Sequence, residues 1–153
     1  MRKRTRRQHY ALTNPVTLAI AGARITEDRL LDQLRLRELS AIQSFATGAA
    51  TVDDWRTVAD LTNLAQTMCA MGIGPEVLSA AMAVEGVLNE AHQRYLDTGR
   101  MGTTGAGLNA MRDLLEWHHL QRTSVARSVY EAAIQKTHNR IRSAHPSLKV
   151  CAA

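Results

Sequence analysis

Between Val77 and Tyr95 the apolar side chains fall at Val77, Ala81, Val84, Leu88, Ala91 and Tyr95, in steps of 4, 3, 4, 3 and 4 residues. In a strand these positions would point to both faces by turns, whereas at 3.6 residues per turn they line one narrow stripe of an α-helix. Such a stripe is the seam of a helix packed nearly antiparallel against its neighbours. The composition agrees, with aromatic residues only 4% of the chain and Phe45 the sole phenylalanine. The apolar mass is Ala, Leu, Val, Ile and Met, and sheet proteins draw more heavily on aromatic and β-branched residues. At 153 residues, 45% hydrophobic and 22% charged, the chain suits one globular domain with an ample core rather than wholesale disorder. No run approaches the roughly 18 to 20 uninterrupted apolar residues of a membrane span.

The same periodicity recurs on either side. Thr26 followed by Glu27 and Asp28 reads as an N-cap with acids in the first turn. The helix it opens carries Leu30, Leu31, Leu34, Leu39, Ile42 and Phe45 and stops at Thr47-Gly48. Thr51 and Asp54 form a capping box with Asp in the Glu place. They start a second helix striped by Val52, Trp55, Ala59, Thr62, Ala65 and Cys69 and closed at Gly72. Gly74-Pro75 is a stop followed by a restart, because Pro is tolerated at the first helical position. The glycine-rich segment 99–107 breaks the pattern, with Gly99 as a C-cap and Thr103 or Thr104 as the next N-cap. Leu108, Met111, Leu115, His118, Arg122, Val125 and Val129 then keep 3/4 spacing through Thr123-Ser124. That favours one continuous helix to about Ala144, the longest element, over two helices kinked at Thr123-Ser124. The expected fold is all-α: a four- to five-helix bundle at 26–145, preceded by a basic arm and extended lead-in at 1–25 and followed by a tail at 146–153.

The net charge of +5 hides a segregated distribution. Arg2, Lys3, Arg4, Arg6 and Arg7 stand without an acid among them, and from residue 8 to Glu116 eight basic side chains face thirteen acidic ones. From Trp117 onward six basic residues meet the single acid Glu131. Basic ends around an acidic middle point to an electrostatic arm for phosphate or for an acidic protein surface. The start of the chain is a poor secretory signal, because Gln8, His9, Asn14 and Thr17 interrupt any apolar stretch. A transit peptide fits poorly too, since the arm is short and lacks serine. Cys69 and Cys151 suggest no disulfide framework, and a cytoplasmic location is expected.

Three constellations bear on chemistry. Gly102, Gly105 and Gly107 with two threonines and Arg100 suggest an anion cradle at a helix N-terminus. The segment lacks the Gly-Lys-Ser/Thr ending of a P-loop and follows a helix, so a cap and turn are the better account. His118, His119 and His138 offer no i, i+4 pair and no HExxH, so no metal or other cofactor is expected; His118 lies on the apolar stripe with His119 beside it, and one of the two reads as a hydrogen-bonded core or interface residue. No Gly-x-Ser-x-Gly elbow occurs, and Asp53-Asp54 is explained by capping, which leaves nothing to suggest an enzyme. The third constellation is basic: Arg122, Arg127, Lys136, Arg140 and Arg142, interleaved with Gln121, Ser124, Ser128, Gln135 and Asn139. Such a helix can contact phosphates and base edges, although no helix-turn-helix spacing is evident.

The stretches Leu34-Arg35-Leu36-Arg37-Glu38-Leu39, Thr98-Gly99-Arg100-Met101-Gly102 with Gly105, and Leu120-Gln121-Arg122-Thr123-Ser124-Val125-Ala126-Arg127 give the chain a further likeness. It resembles small helical proteins encoded by phages, prophages and plasmids of Gram-negative proteobacteria. The resemblance implies an accessory role on a mobile element and carries no site residues. From the segregated charge, the expected function is non-enzymatic binding of nucleic acid or a nucleoprotein complex through the basic termini, with no membrane partner and with a homo-oligomer left open. The alternative is a protein-binding inhibitor of a host defence or regulatory complex, of the anti-CRISPR kind.

Overall fold

In the computed structural model, which describes residues 28–144, five α-helices are separated at the turns where glycine and hydroxyl residues interrupt the pattern: α1 (Asp28–Ala46), α2 (Val52–Ala70), α3 (Leu78–Thr98), α4 (Gly105–Thr123) and α5 (Arg127–Ala144). A single 3-10 turn, Pro75–Val77, leads into α3. No β-strand occurs among these residues. Arg2, Lys3, Arg4, Arg6, Arg7, the lead-in, the Thr26 cap, Pro146, Cys151 and the tail lie outside the described residues.

The sequence signals place the boundaries. The Asp54 N–H donates to Thr51 Oγ1 at 3.2 Å and the Thr51 N–H to the Asp54 carboxylate at 2.8 Å, the reciprocal pair of a capping box. Gly48, Gly72, Gly74 and Gly99 all sit at positive φ in the turns, where a Cβ would be strained. Thr104 caps α4 by accepting from the Gly107 N–H at 3.1 Å.

Helices α1 to α4 form the bundle, with α1 against α2 and α4, and α3 against the same two. Helix α2 is the hub, because α5 also lies on it and α4 reaches it across the core. The stripe of α3 is buried from Val77 to Ala91, with only Tyr95 emerging. The stripe of α1 is shifted from its sequence reading. Leu31, Ala41, Ile42 and Phe45 are buried, whereas Leu30, Leu34 and Leu39 flank the core and stay exposed. The position between Leu31 and Ile42 that should hold a leucine holds Glu38, 9% exposed.

Glu38 is there because Arg122 of α4 comes to meet it. The guanidinium, 0% exposed, donates from both terminal nitrogens to both Glu38 oxygens at 2.9 and 2.8 Å. Burial works against the Arg122 charge, but the Glu38 bond and charge outweigh it and raise the pKa above the ordinary arginine value. A forked pair of this kind fixes two helices in register as well as in distance.

The long C-terminal helix is replaced by two, and the longest helix is α3, with 21 residues. Thr123 Oγ1 donates back to His119 O at 2.9 Å, and Ser124 Oγ to Gln121 O at 2.8 Å. Thr62 and Thr137 make the same i−4 bond within helices that continue, so the Ser124 hydroxyl is the one that matters: it occupies the Gln121 carbonyl that the next helical turn would use, at the point where α4 stops. Periodicity missed the break because α5 buries a new face, Ala133 and Thr137, against α2. There Thr137 donates to Thr67 Oγ1 at 2.8 Å.

At the opposite end the glycine-rich segment serves packing. A Cβ on Gly102 would stand 2.9 Å from Gly48 Cα and 3.3 Å from Phe45 O. Gly102→Ala should therefore lower stability by about 1–3 kcal/mol. Gly86→Ala, at an open helical position, should raise it by about 0.5–1 kcal/mol. Urea midpoints of both variants test the pair. Glu38→Ala or Arg122→Ala alone should cost about 3–5 kcal/mol by stranding a buried charge, and Glu38→Leu with Arg122→Met should recover most of that. A double variant no better than either single would refute the reading.

Candidate nucleic-acid interface

The outer surface of α2 carries a polar stripe beside its buried one. Arg56, Asp60 and Asn63 recur at four- and three-residue steps, which puts them on neighbouring turns of one face. Helix α5 crosses this face. The result is a cleft of about 480 Å³ with Trp55, Arg56, Asp60 and Asn63 on the α2 side and Arg140 and Ile141 on the α5 side.

Each wall is held. Trp55 is anchored at one edge, where its Nε1–H donates to Leu88 O of α3 at 3.1 Å. The Trp55 ring lies 5.9 Å from His92 at a 49° tilt. Arg140 donates to Asn63 O and Asn63 Oδ1, both at 3.1 Å, and to Gln66 Oε1 at 3.3 Å. None of these partners is an acid, so the guanidinium is positioned while its charge stays uncompensated by them. Asp60 forms the ridge between this cleft and a second crevice on the α1 side. Its pKa is raised by desolvation, against the pull of His138, Arg37 and Arg56. Three cationic or protonatable groups thus act on one carboxylate.

The second crevice, about 180 Å³, opens between α1 and α2 and has His118 of α4 among its lining residues. Gln121 Nε2 donates to Ile73 O at 2.9 Å, which leaves its Oε1 facing His118 Nδ1 at 3.1 Å. An amide oxygen only accepts, so Nδ1 carries the proton and Nε2 is a bare acceptor. Nε2 has no partner, and the ring is 0% exposed. Burial pushes the His118 pKa down to about 4, and the nearby Arg122 pushes it the same way.

The basic residues singled out from sequence fare differently. Arg122 is interior and spent on Glu38, so it is not available to a phosphate. Its place on the apolar stripe at 3/4 spacing from Leu115 and His118 was the signal that it faces inward. Arg127 pairs with Glu131 at 2.8 Å on the surface. Lys136 and Arg142 are exposed on α5. Only Arg140 joins a built site. Sequence reading did not find Trp55, Arg56, Asn63, Gln66, Arg37 or Asp60 as site residues, because their grouping depends on how α1 and α5 pack against α2. Among the described residues no three His, Cys, Asp or Glu side chains converge as metal ligands, and no helix is long and apolar enough to cross a membrane.

A histidine neutral in the fold binds fewer protons than in the unfolded chain between pH 4 and the ordinary 6.5. Its contribution is therefore complete above pH 6.5 and is lost as pH falls toward 4, by up to about 3 kcal/mol. His119, also lowered by burial, acts in the same direction, while Asp60, raised from 3.8, acts against it. Urea unfolding at stepped pH should show this decline, and His118→Leu should flatten it; an unchanged slope would remove His118 as its source. Comparison of the chain with protein-family models, with curated proteins and with solved structures gives no match.

Proposed function

We propose that the protein binds nucleic acid without catalysing a reaction. The α2–α5 cleft and the basic residues Arg2, Lys3, Arg4, Arg6 and Arg7 are its contacts. The observation that carries the reading is the placement of Arg56 and Arg140 on opposite walls of a cleft that also contains Trp55 and two side-chain amides. Arginines that track phosphates, an aromatic ring and amides beside them are the parts single-strand binding uses. Asp60 repels phosphate, so a strand following Arg56 and Arg140 turns its bases, not its backbone, toward that ridge. Exposed Lys136 and Arg142 extend the charge along α5. An accessory role on a mobile element, exercised in the cytoplasm, is compatible with such a module.

The second reading, a protein-binding inhibitor, is favoured by the outer side of α1. Leu36, 65% exposed, and Leu39 line a shallow trough with Gln43 and with Arg112 of α4. Apolar groups rimmed by polar ones are what a protein partner covers.

Fluorescence anisotropy with a mixed-sequence single-stranded oligonucleotide, over a range of salt, separates the two. Log affinity should fall with log salt, and Arg56→Ala and Arg140→Ala should each reduce the slope by about 0.7. Deleting residues 2–7 should flatten it by several units, because up to five phosphate contacts go with it. Binding that neither change alters would sink the reading. Capture of one protein from a lysate irrespective of nuclease would favour the inhibitor.

A further inference from the structure

The α4–α5 turn differs in kind from the others. Each of the other inter-helix turns holds glycine at positive φ, namely Gly48, Gly72 with Gly74, and Gly99, a conformation that no residue of a continuing helix adopts. The link Ser124-Val125-Ala126 has no glycine, no proline and no positive φ. Ser124 itself stands at φ −82° and ψ −11°, in the right-handed helical region. What marks the stop is a side-chain hydroxyl, Ser124 Oγ on Gln121 O at 2.8 Å. Across this link the spacing of a single helix persists, because Leu115, His118, Arg122, Val125 and Val129 follow one another in steps of 3 and 4. Val125 and Val129 are only half-buried where they stand, and Leu120, one turn before Ser124, is exposed.

Helix α5 is attached by little. It buries Ala133 and Thr137, docks chiefly on α2, and sets the Tyr130 ring 6.2 Å from His118 of α4. Its bonds to α2 are Thr137 on Thr67 Oγ1 at 2.8 Å and Arg140 on Asn63 and Gln66. A helix continued from Gly105 to Ala144 would be about 60 Å long, and its α5 portion would project about 27 Å past the end of α4. That projection carries Ala133, Thr137 and Arg140 into water and leaves the matching strip of α2 uncovered. A second copy in the same state repairs both losses, since its α5 fits that strip bond for bond. We propose that the chain forms a symmetric dimer in which α4 and α5 join into one helix and each α5 docks on the α2 of the other copy. The pairs Thr137–Thr67 and Arg140–Asn63 re-form between copies, so the closed and exchanged forms differ mainly at the link, the condition under which swapping is a low-cost route to a dimer. The cleft is then assembled from two chains, with Trp55, Arg56 and Asn63 from one and Arg140 from the other. The dimer does not depend on what the cleft binds.

The test is size separation with light scattering on the full chain, before and after refolding from urea at high concentration, which lets α5 open. The exchange is identified with Thr67→Cys and Thr137→Cys introduced together in a Cys151→Ser background. The two hydroxyls lie 2.8 Å apart, which brings their replacements within disulfide reach. Oxidation then joins positions 67 and 137 within one chain in the closed monomer and between chains in the exchanged dimer. Two substitutions at the link act in opposite directions. Ser124→Ala removes the hydroxyl at the stop and should raise the dimer fraction several-fold. Arg127→Pro alters the first residue of α5, where proline suits a helix start but not a helix interior. It should keep the monomer's unfolding midpoint and reduce the dimer by at least about a hundredfold. Ser124→Ala decides the matter should Arg127→Pro fail to fold. Monomer alone, before and after refolding, overturns the exchange. So does a dimer that oxidation joins only within chains, one that Arg127→Pro forms as readily, or a Ser124→Ala chain with no gain in dimer. An exchanged dimer with no affinity for any oligonucleotide supports the exchange and sinks the strand reading alone.

Discussion

A guanidinium enclosed in a helical bundle sets the terms for everything around it. Arg122 cannot shed its charge, so it requires a carboxylate, and the only way to supply one is to give α1 a Glu where an apolar side chain would otherwise sit. That single requirement aligns α1 with α4. The outer pairs Arg35–Glu116, with N···O at 2.6 Å, and Arg112–Gln43 at 3.1 Å follow the alignment and do not create it, being exposed and weak. The α1–α2 crevice is lined by one member of that pair, Glu38, and by His118, which lies one turn before Arg122 on α4.

The architecture of the described residues was legible because turn chemistry and helical period agree at nearly every boundary. Thr51 with Asp54, Gly74-Pro75, Gly99 and Thr104 all do what their residue types allow locally. The missed helix break has one cause. The 3/4 spacing from Arg122 to Val125 and Val129 runs past Thr123-Ser124 and favoured continuity over a break there, because a stripe says which residues are buried and not which neighbour buries them. Once α5 swings onto α2, Val125 and Val129 continue the spacing while Ala133 and Thr137 face a different partner.

The site was less legible for the same reason. Its parts come from positions 37, 55–66, 118 and 138–141, and none of these groups has a fixed sequence spacing to another. Counting basic residues along the last third of the chain found Arg140 and also Arg122, two arginines with opposite fates. What separates them is phase: Arg122 sits on the stripe that runs through Leu115 and His118, and Arg140 lies at the edge of the α5 contact. The acidic middle was equally uninformative as a total, since Asp54 is a cap and Glu38 an interior counter-ion.

The contact between Gly102 and Gly48 joins two turns that are far apart in sequence. Ala50 N–H donates to Met101 O at 3.2 Å and Thr103 N–H to Phe45 O at 3.3 Å, so the α1–α2 and α3–α4 turns are stitched backbone to backbone. Neither can lengthen by a residue without breaking the stitch. Among the described residues the α4–α5 turn carries no comparable backbone bond to another turn. One end of the bundle is thus held by main-chain bonds between its turns and the other by a single amide side chain, Gln121 on Ile73 O, and the second end is the one that sets how α5 closes over the cleft.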